Sequence, residues 1–186
     1  MKRAGIKELK LRLLRLLKKE ALKKGRFILS SGKASNYYLD GRLITLSPQG
    51  AYLVASIILE MIKGKKIYAI GGPTLGADPI VGALACLSYI YKIPLKTFIV
   101  RKETKGHGMQ RQIEGPLLKK KGKVILVDDV VTTGGALIEA KTALGKIGVC
   151  VNQAIVIVDR GEGAKENLAK KGVRLESIFR IEDFGL

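Results

Sequence analysis

The sequence predicts an α/β domain built on a mainly parallel sheet with helices on both faces, and three observations lead there. Apolar runs of strand length alternate with helical patterns along most of the 186 residues. The runs are apolar throughout instead of alternating with polar residues, as befits strands covered on both sides. Polar loops containing glycine follow several of these runs, so they gather at the carboxyl edge of the sheet, where such folds bind ligands.

Each element has its own warrant. Ile6, Leu9, Leu13, Leu16 and Leu17 recur at helical spacing, with basic residues over much of the remaining surface. Phe27 to Asp40 has a strand–turn–strand pattern. Ser47 suits an N-cap and Pro48 the first helical position of a helix running to about Ile62. A strand at Lys66–Ile70, a loop from Gly71 to Asp78 and a helix to about Tyr91 follow. Next come a strand at Leu95–Val100 and a long polar loop, Arg101 to Pro116. Val124 to Val127 is a short buried strand, and Ala136 to Ile147 a helix. A strand at Val151–Val158, a helix from Glu162 to Lys171 and a strand at Arg174–Ile181 complete a single domain, with residues 1–45 as N-terminal helix and hood.

Composition narrows the classes. Hydrophobic residues make up 47% and only five prolines occur, which argues against disorder. No apolar run reaches membrane-spanning length, and Arg12, Arg15 and Lys18 interrupt the N-terminal leucines, so no cleavable signal is expected. Cys86 and Cys150 are too few for a disulfide framework or a metal site, and their apolar neighbours predict buried thiols in a reducing cytoplasm. The net charge of +18 would by itself point to nucleic acid. Residues 1–26, however, carry +9 and residues 101–123 carry +6, so most of the charge sits in two places. The second is a loop where a positive field concentrates an anionic substrate. The first is read as a solvated face of a helix that packs on the domain.

The segment from Lys123 to Ala136 carries the most chemistry. Asp128 and Asp129 close the apolar run, Val130 and Val131 lead on, and Thr132, Thr133, Gly134 and Gly135 precede the helix. Glycines admit an anion close to the backbone, hydroxyls and amides donate to it, and the helix N-terminus adds a favourable dipole. Paired carboxylates beside that cradle can accept from sugar hydroxyls. A bland strand–helix junction rarely places two acids at the end of a buried strand, because unpaired buried carboxylates are costly. A nucleoside-triphosphate loop is excluded: none of Gly32, Gly64, Gly122 and Gly145, each followed by Lys, has a glycine five residues ahead. The segment resembles the signature of the phosphoribosyltransferases, which use phosphoribosyl pyrophosphate (PRPP).

The long loop is specific too. Arg101, Lys102 and Lys105 give it permanent charge, and His107, the chain's one histidine, lies between Gly106 and Gly108 as a donor to a polyphosphate. Loops of this length usually act as lids or binding segments. The pattern Arg101-Lys102-Glu103…Lys105…His107-Gly108…Ile113-Glu114-Gly115 closely resembles the mobile catalytic loop of orotate phosphoribosyltransferases. Phe27 to Asp40 is similar to that family's hood, and Asp159-Arg160 to its Asp-Arg pair.

The resemblance, which spans about residues 4 to 181, implies the type I phosphoribosyltransferase fold and transfer of phosphoribose from PRPP to orotate. It implies that Thr132, Thr133, Gly134, Gly135 and Ala136 hold the 5′-phosphate, with Val130 and Val131 beside them. Asp128 and Asp129 would orient the ribose; Arg101, Lys102, Lys105 and His107 would neutralise the leaving pyrophosphate. Thr132 and Arg160 would meet orotate. Lys105, His107, Asp128 and Asp129 are the expected catalytic residues. Mg²⁺ is expected, held mainly by substrate and water instead of by protein side chains. A homodimer with shared active sites is implied, with no membrane and no nucleic acid expected as partners. Two positions depart from many bacterial members, which carry lysine where this chain has Ser30 and Leu75. Another base as acceptor, or a nucleic-acid-binding regulator on the same fold, are the alternatives.

Overall fold

Ser47 and Pro48 start the longest helix where the sequence places it: the Ser47 hydroxyl accepts from the Gly50 N–H at 3.1 Å, and helix α3 runs Pro48–Met61. The computed structural model describes residues 5–28, 34–102, 112–116 and 122–186. Helix α1 (Ile6–Leu16) precedes it and passes into a π-helical turn at Leu17–Ala21. Leu9, Leu13 and Leu17 face the core, whereas Ile6, the first residue of the expected apolar stripe, is exposed. Strands β1 (Leu22–Ile28) and β2 (Ala34–Leu39) form an antiparallel pair, joined to α3 through the short helix α2 (Arg42–Thr45). Phe27 lies against Tyr38 across this hairpin, ring centroids 5.7 Å apart.

The remaining strands are β3 (Ala69–Pro73), β4 (Lys96–Val100), β5 (Ile113–Glu114), β6 (Val124–Val131), β7 (Val151–Asp159) and β8 (Arg174–Arg180). They form one sheet in the order β5-β4-β3-β6-β7-β8, parallel except for β5. Helices α4 (Asp78–Ile90), α5 (Gly135–Lys146) and α6 (Ala164–Lys170) connect them. Alternation along the strands splits the core in two. Ile125, Val127, Ile155 and Ile157 pack with α1, α3 and α4, while Val124, Leu126, Ala154 and Val156 pack with α5 and α6. Burial of this kind contributes roughly 1.5–3 kcal/mol per large apolar side chain.

From β3 the chain winds first to β4 on one side and then to β6 on the other. The crevice at the carboxyl ends of β3 and β6 is therefore a topological switch point, the preferred ligand site of such sheets.

Three boundaries of the main sheet differ from expectation, and in the hairpin β1 begins at Leu22, five residues before the expected Phe27. Strand β3 begins three residues late because Lys66 adopts a positive φ of 49°, and it continues through Gly71, Gly72 and Pro73, read from sequence as loop. The glycines are required there: a Cβ on Gly71 would lie 2.2 Å from the Phe98 carbonyl oxygen, and one on Gly72 1.9 Å from that of Val127. Strand β6 does not stop before the acids but carries Asp128 and Asp129 within it, held by continued pairing to β7. The long polar loop has structure at its base, where β5 pairs with β4. Cys86 and Cys150 are exposed free thiols, contrary to the burial inferred from their apolar neighbours. Cys86 sits on the outer face of α4, and Cys150 is the outward residue between buried Val149 and Val151.

Candidate active site

The cradle is built by β6 entering α5. Gly134 has a φ of +85°, a conformation that favours glycine, and caps the helix; its carbonyl accepts from the Ile138 N–H at 3.0 Å. The N–H groups of Gly135, Ala136 and Leu137 open the first turn and have no acceptor within the helix. Thr133, Gly135 and Ala136 are exposed, and Thr132 is half-buried. Asn167 of α6 braces the loop from outside by donating to the Thr133 carbonyl at 3.0 Å. A concave, solvent-facing set of donors at a positive dipole end can hold a phosphate.

Asp128 and Asp129 lie beside it. An Asp128 carboxylate oxygen accepts from the Asp129 N–H at 3.0 Å, and one of Asp129 accepts from the Val130 N–H at 2.8 Å. Burial pushes the Asp128 carboxyl well above the usual carboxylate range, and the neighbouring Asp129 adds to this. Asp129 is also raised by burial, with the Val130 N–H and Arg42 opposing. Two glycines allow the surrounding backbone to approach them. A Cβ on Gly41 would lie 2.8 Å from an Asp129 oxygen, and one on Gly76 only 2.2 Å from an Asp128 oxygen. Beside Gly41, Arg42 pairs with Asp40 at 2.9 Å, and this contact holds the Asp40 carboxyl below its ordinary value.

Arg101 and Lys102 follow β4 and flank a cavity of about 520 Å³ shared with Thr74, Leu75 and Asp78. They also line a smaller depression that reaches Ala136 at the cradle. The loop base is pinned: the Arg101 N–H donates to the Gln112 carbonyl at 2.8 Å, and its guanidinium lies 3.8 Å from Glu114. Burial raises the Asp78 carboxyl, and one of its oxygens is buried with no hydrogen-bond partner among the described residues. Leu75 is exposed on the cavity wall.

Arg160 follows β7 and is nearly buried. Its Nε donates to the Tyr37 hydroxyl at 3.1 Å and its Nη2 lies 3.4 Å from the Ser35 hydroxyl, so the hood touches the sheet edge here. The expected residues thus divide into groups along one edge: cradle, acid pair, basic loop base and Arg160. Lys105, His107 and Ser30 lie outside the described residues. Gly41, Gly76, Asp78, Asn167, Tyr37 and Glu162 were not singled out from sequence. Only the glycines and Asp78, in loops after apolar runs, gave a local signal.

Residues 45–186 match the phosphoribosyl transferase domain. An orotate phosphoribosyltransferase of Aquifex aeolicus is 46% identical over 92% of this chain and 95% of its own. One of Rhodopirellula baltica is 42% identical over 94% and 93% respectively. The chain belongs to the orotate phosphoribosyltransferase family. A crystal structure of the Mycobacterium tuberculosis orotate phosphoribosyltransferase in complex with PRPP superposes with a TM-score of 0.79, at 30% identity over 96% of this chain and 99% of that one. The family's fold accounts for the switch-point crevice and the small hairpin at its mouth. Among the described residues no helix is long and apolar enough to cross a membrane.

Proposed function

We propose that this enzyme transfers the 5-phosphoribosyl group of PRPP to N1 of orotate, forming orotidine 5′-phosphate and pyrophosphate in pyrimidine synthesis. An anion cradle, a half-buried acid pair and a basic loop base meet at one switch point, and this carries the reading. Thr132 to Ala136 hold the 5′-phosphate, with Val130 and Val131 setting the entry to the turn. Asp128 and Asp129 accept from the ribose hydroxyls, which offset the desolvation that otherwise penalises their charge.

As the bond to pyrophosphate lengthens, positive charge grows on the ribose and negative charge on the leaving group. Arg101 and Lys102, with Lys105 and His107 from the lid, neutralise the departing pyrophosphate once the loop excludes water. Arg160 and Thr132 meet the acceptor. Asp128 and Asp129 would help to hold a Mg²⁺ carried mainly by substrate oxygens and water. When bound, Mg²⁺ supplies charge neutralisation to the pyrophosphate and ribose oxygens.

The dimer belongs to the same proposal. Leu43 and Leu46 of the α2 region, Tyr52 of α3, and Tyr89 and Ile90 of α4 are exposed apolar residues on neighbouring elements. A second copy covering them would form the homodimer. Incubation with PRPP, orotate and Mg²⁺ should give orotidine 5′-phosphate and pyrophosphate one to one, with a chelator abolishing both. Pyrophosphate appearing with free ribose 5-phosphate and no nucleotide would reject the acceptor.

A further inference from the structure

Arg160 is held more firmly than a base contact alone requires. The chain doubles back directly after it: an Asp159 carboxylate oxygen accepts from the Gly161 N–H at 3.0 Å, and Gly161 has a φ of +70°. This turn returns Glu162 to the arginine two residues before it, with its carboxylate 3.0 Å from Nε. The Tyr37 hydroxyl shares that Nε at 3.1 Å, and the Tyr37 ring lies under the guanidinium, 4.7 Å from Cζ to the ring centroid. Ser35 meets Nη2 at 3.4 Å. The Arg160 side chain is only 7% exposed.

A guanidinium carries five N–H donors in a planar fork. Here Glu162, Tyr37 and Ser35 occupy the Nε side and part of Nη2, while Nη1 has no partner among the described residues. The fork's outer edge is therefore left for a planar, two-oxygen acceptor, the geometry of a carboxylate. We propose that Glu162, helped by Tyr37, is a positioning residue. It fixes the plane of Arg160 so that the free edge selects an acceptor bearing a carboxylate. The proposal rests on the reading that Arg160 meets the orotate carboxylate. Glu162 itself touches no substrate. Because Tyr37 and Ser35 belong to the hood and Glu162 to the sheet edge, the same contacts tie hood position to base recognition.

The test is steady-state kinetics on Glu162→Gln, Tyr37→Phe, Arg160→Gln and the double variant Arg160→Gln/Glu162→Gln. Glu162→Gln keeps the shape and removes the charge of the ion pair, so KM for orotate should rise about tenfold, the equivalent of about 1.4 kcal/mol. KM for PRPP and kcat should stay within about twofold, which a general loss of structure would not allow. Tyr37→Phe keeps the ring and removes only the hydroxyl, so it tests the same claim should Glu162→Gln fold poorly; a rise of roughly threefold is expected. In the Arg160→Gln background the Glu162 substitution should add nothing. An unchanged orotate KM in Glu162→Gln and Tyr37→Phe, or an equal increment with Arg160 absent, would overturn the positioning role while leaving the Arg160 contact standing. An Arg160→Gln enzyme with normal orotate KM would instead overturn the base contact, and the positioning role with it.

Discussion

Gly76 lies directly against Asp128: a methyl on its Cα would come 2.2 Å from an Asp128 carboxylate oxygen and 2.5 Å from one of Asp129. The loop after β3 and the acid pair of β6 are thus fitted to each other without a side chain between them. Gly76→Ala should push the carboxylates aside, since their ends can move. Turnover should fall at least about a hundredfold, as for loss of a transition-state contact, while melting drops only a few degrees. Gly72→Ala faces the Val127 backbone at 1.9 Å, which cannot move, and should unfold the protein. Equal melting temperatures for the two variants would show that this distinction is wrong.

The acid pair gives a pH signature. Burial raises both carboxyls in the folded chain, so the folded state binds protons more readily than the unfolded one. Their contribution to stability is complete below the usual aspartate range and is lost as pH rises through the raised folded values. Asp128→Asn should therefore stabilise the unliganded protein at pH 7–8, by about 2–4 °C for each kcal/mol relieved, and make little difference near pH 3. It should also abolish most activity. Melting curves across pH measure this; a variant less stable than the parent at pH 8 would show that the acids hold the fold together.

Gly134 is the cradle's most constrained position. Its φ of +85° and the Leu168 side chain 3.2 Å from a built Cβ both oppose a side chain. Gly134→Ala should cost about 1–2 kcal/mol in backbone strain and raise KM for PRPP by about tenfold or more. Isothermal titration with PRPP would show it. Unaltered PRPP affinity would move the phosphate site elsewhere.

Thiol chemistry tests both the surface and the dimer. Cys86 shares a face of α4 with exposed Tyr89 and Ile90, whereas Cys150 lies in the turn between α5 and β7, away from α4 in the chain. In a dimer formed through that face, a chromogenic disulfide should label Cys150 quickly and Cys86 slowly, with Cys86 speeding up on dilution. Rapid labelling of both at every concentration would place the subunit contact elsewhere.

Much of this was legible in sequence because it depends on local chemistry. Ser47-Pro48 begins α3 as expected, and Gly134 ends the signature turn where the glycine pair placed it. What was missed depends on partners distant in the chain. Gly71 and Gly72 look like loop until the backbones of β4 and β6 are beside them. Tyr37 and Arg160 stand 123 positions apart, and no periodicity connects them. Cys86 follows the apolar rule only by composition; its position on the outer face of α4 decides its exposure.

Whether orotate is the acceptor is decided by kinetics on a panel of bases. With saturating PRPP and Mg²⁺, kcat/KM should be measured for orotate, uracil, hypoxanthine and adenine. A site whose Arg160 fork awaits a carboxylate rejects a base lacking one, because the fork is then left unpaired. Orotate should lead uracil by about 10⁴-fold or more, with purines inert. Turnover of uracil or a purine equal to or above that of orotate would mean that the acceptor is another base.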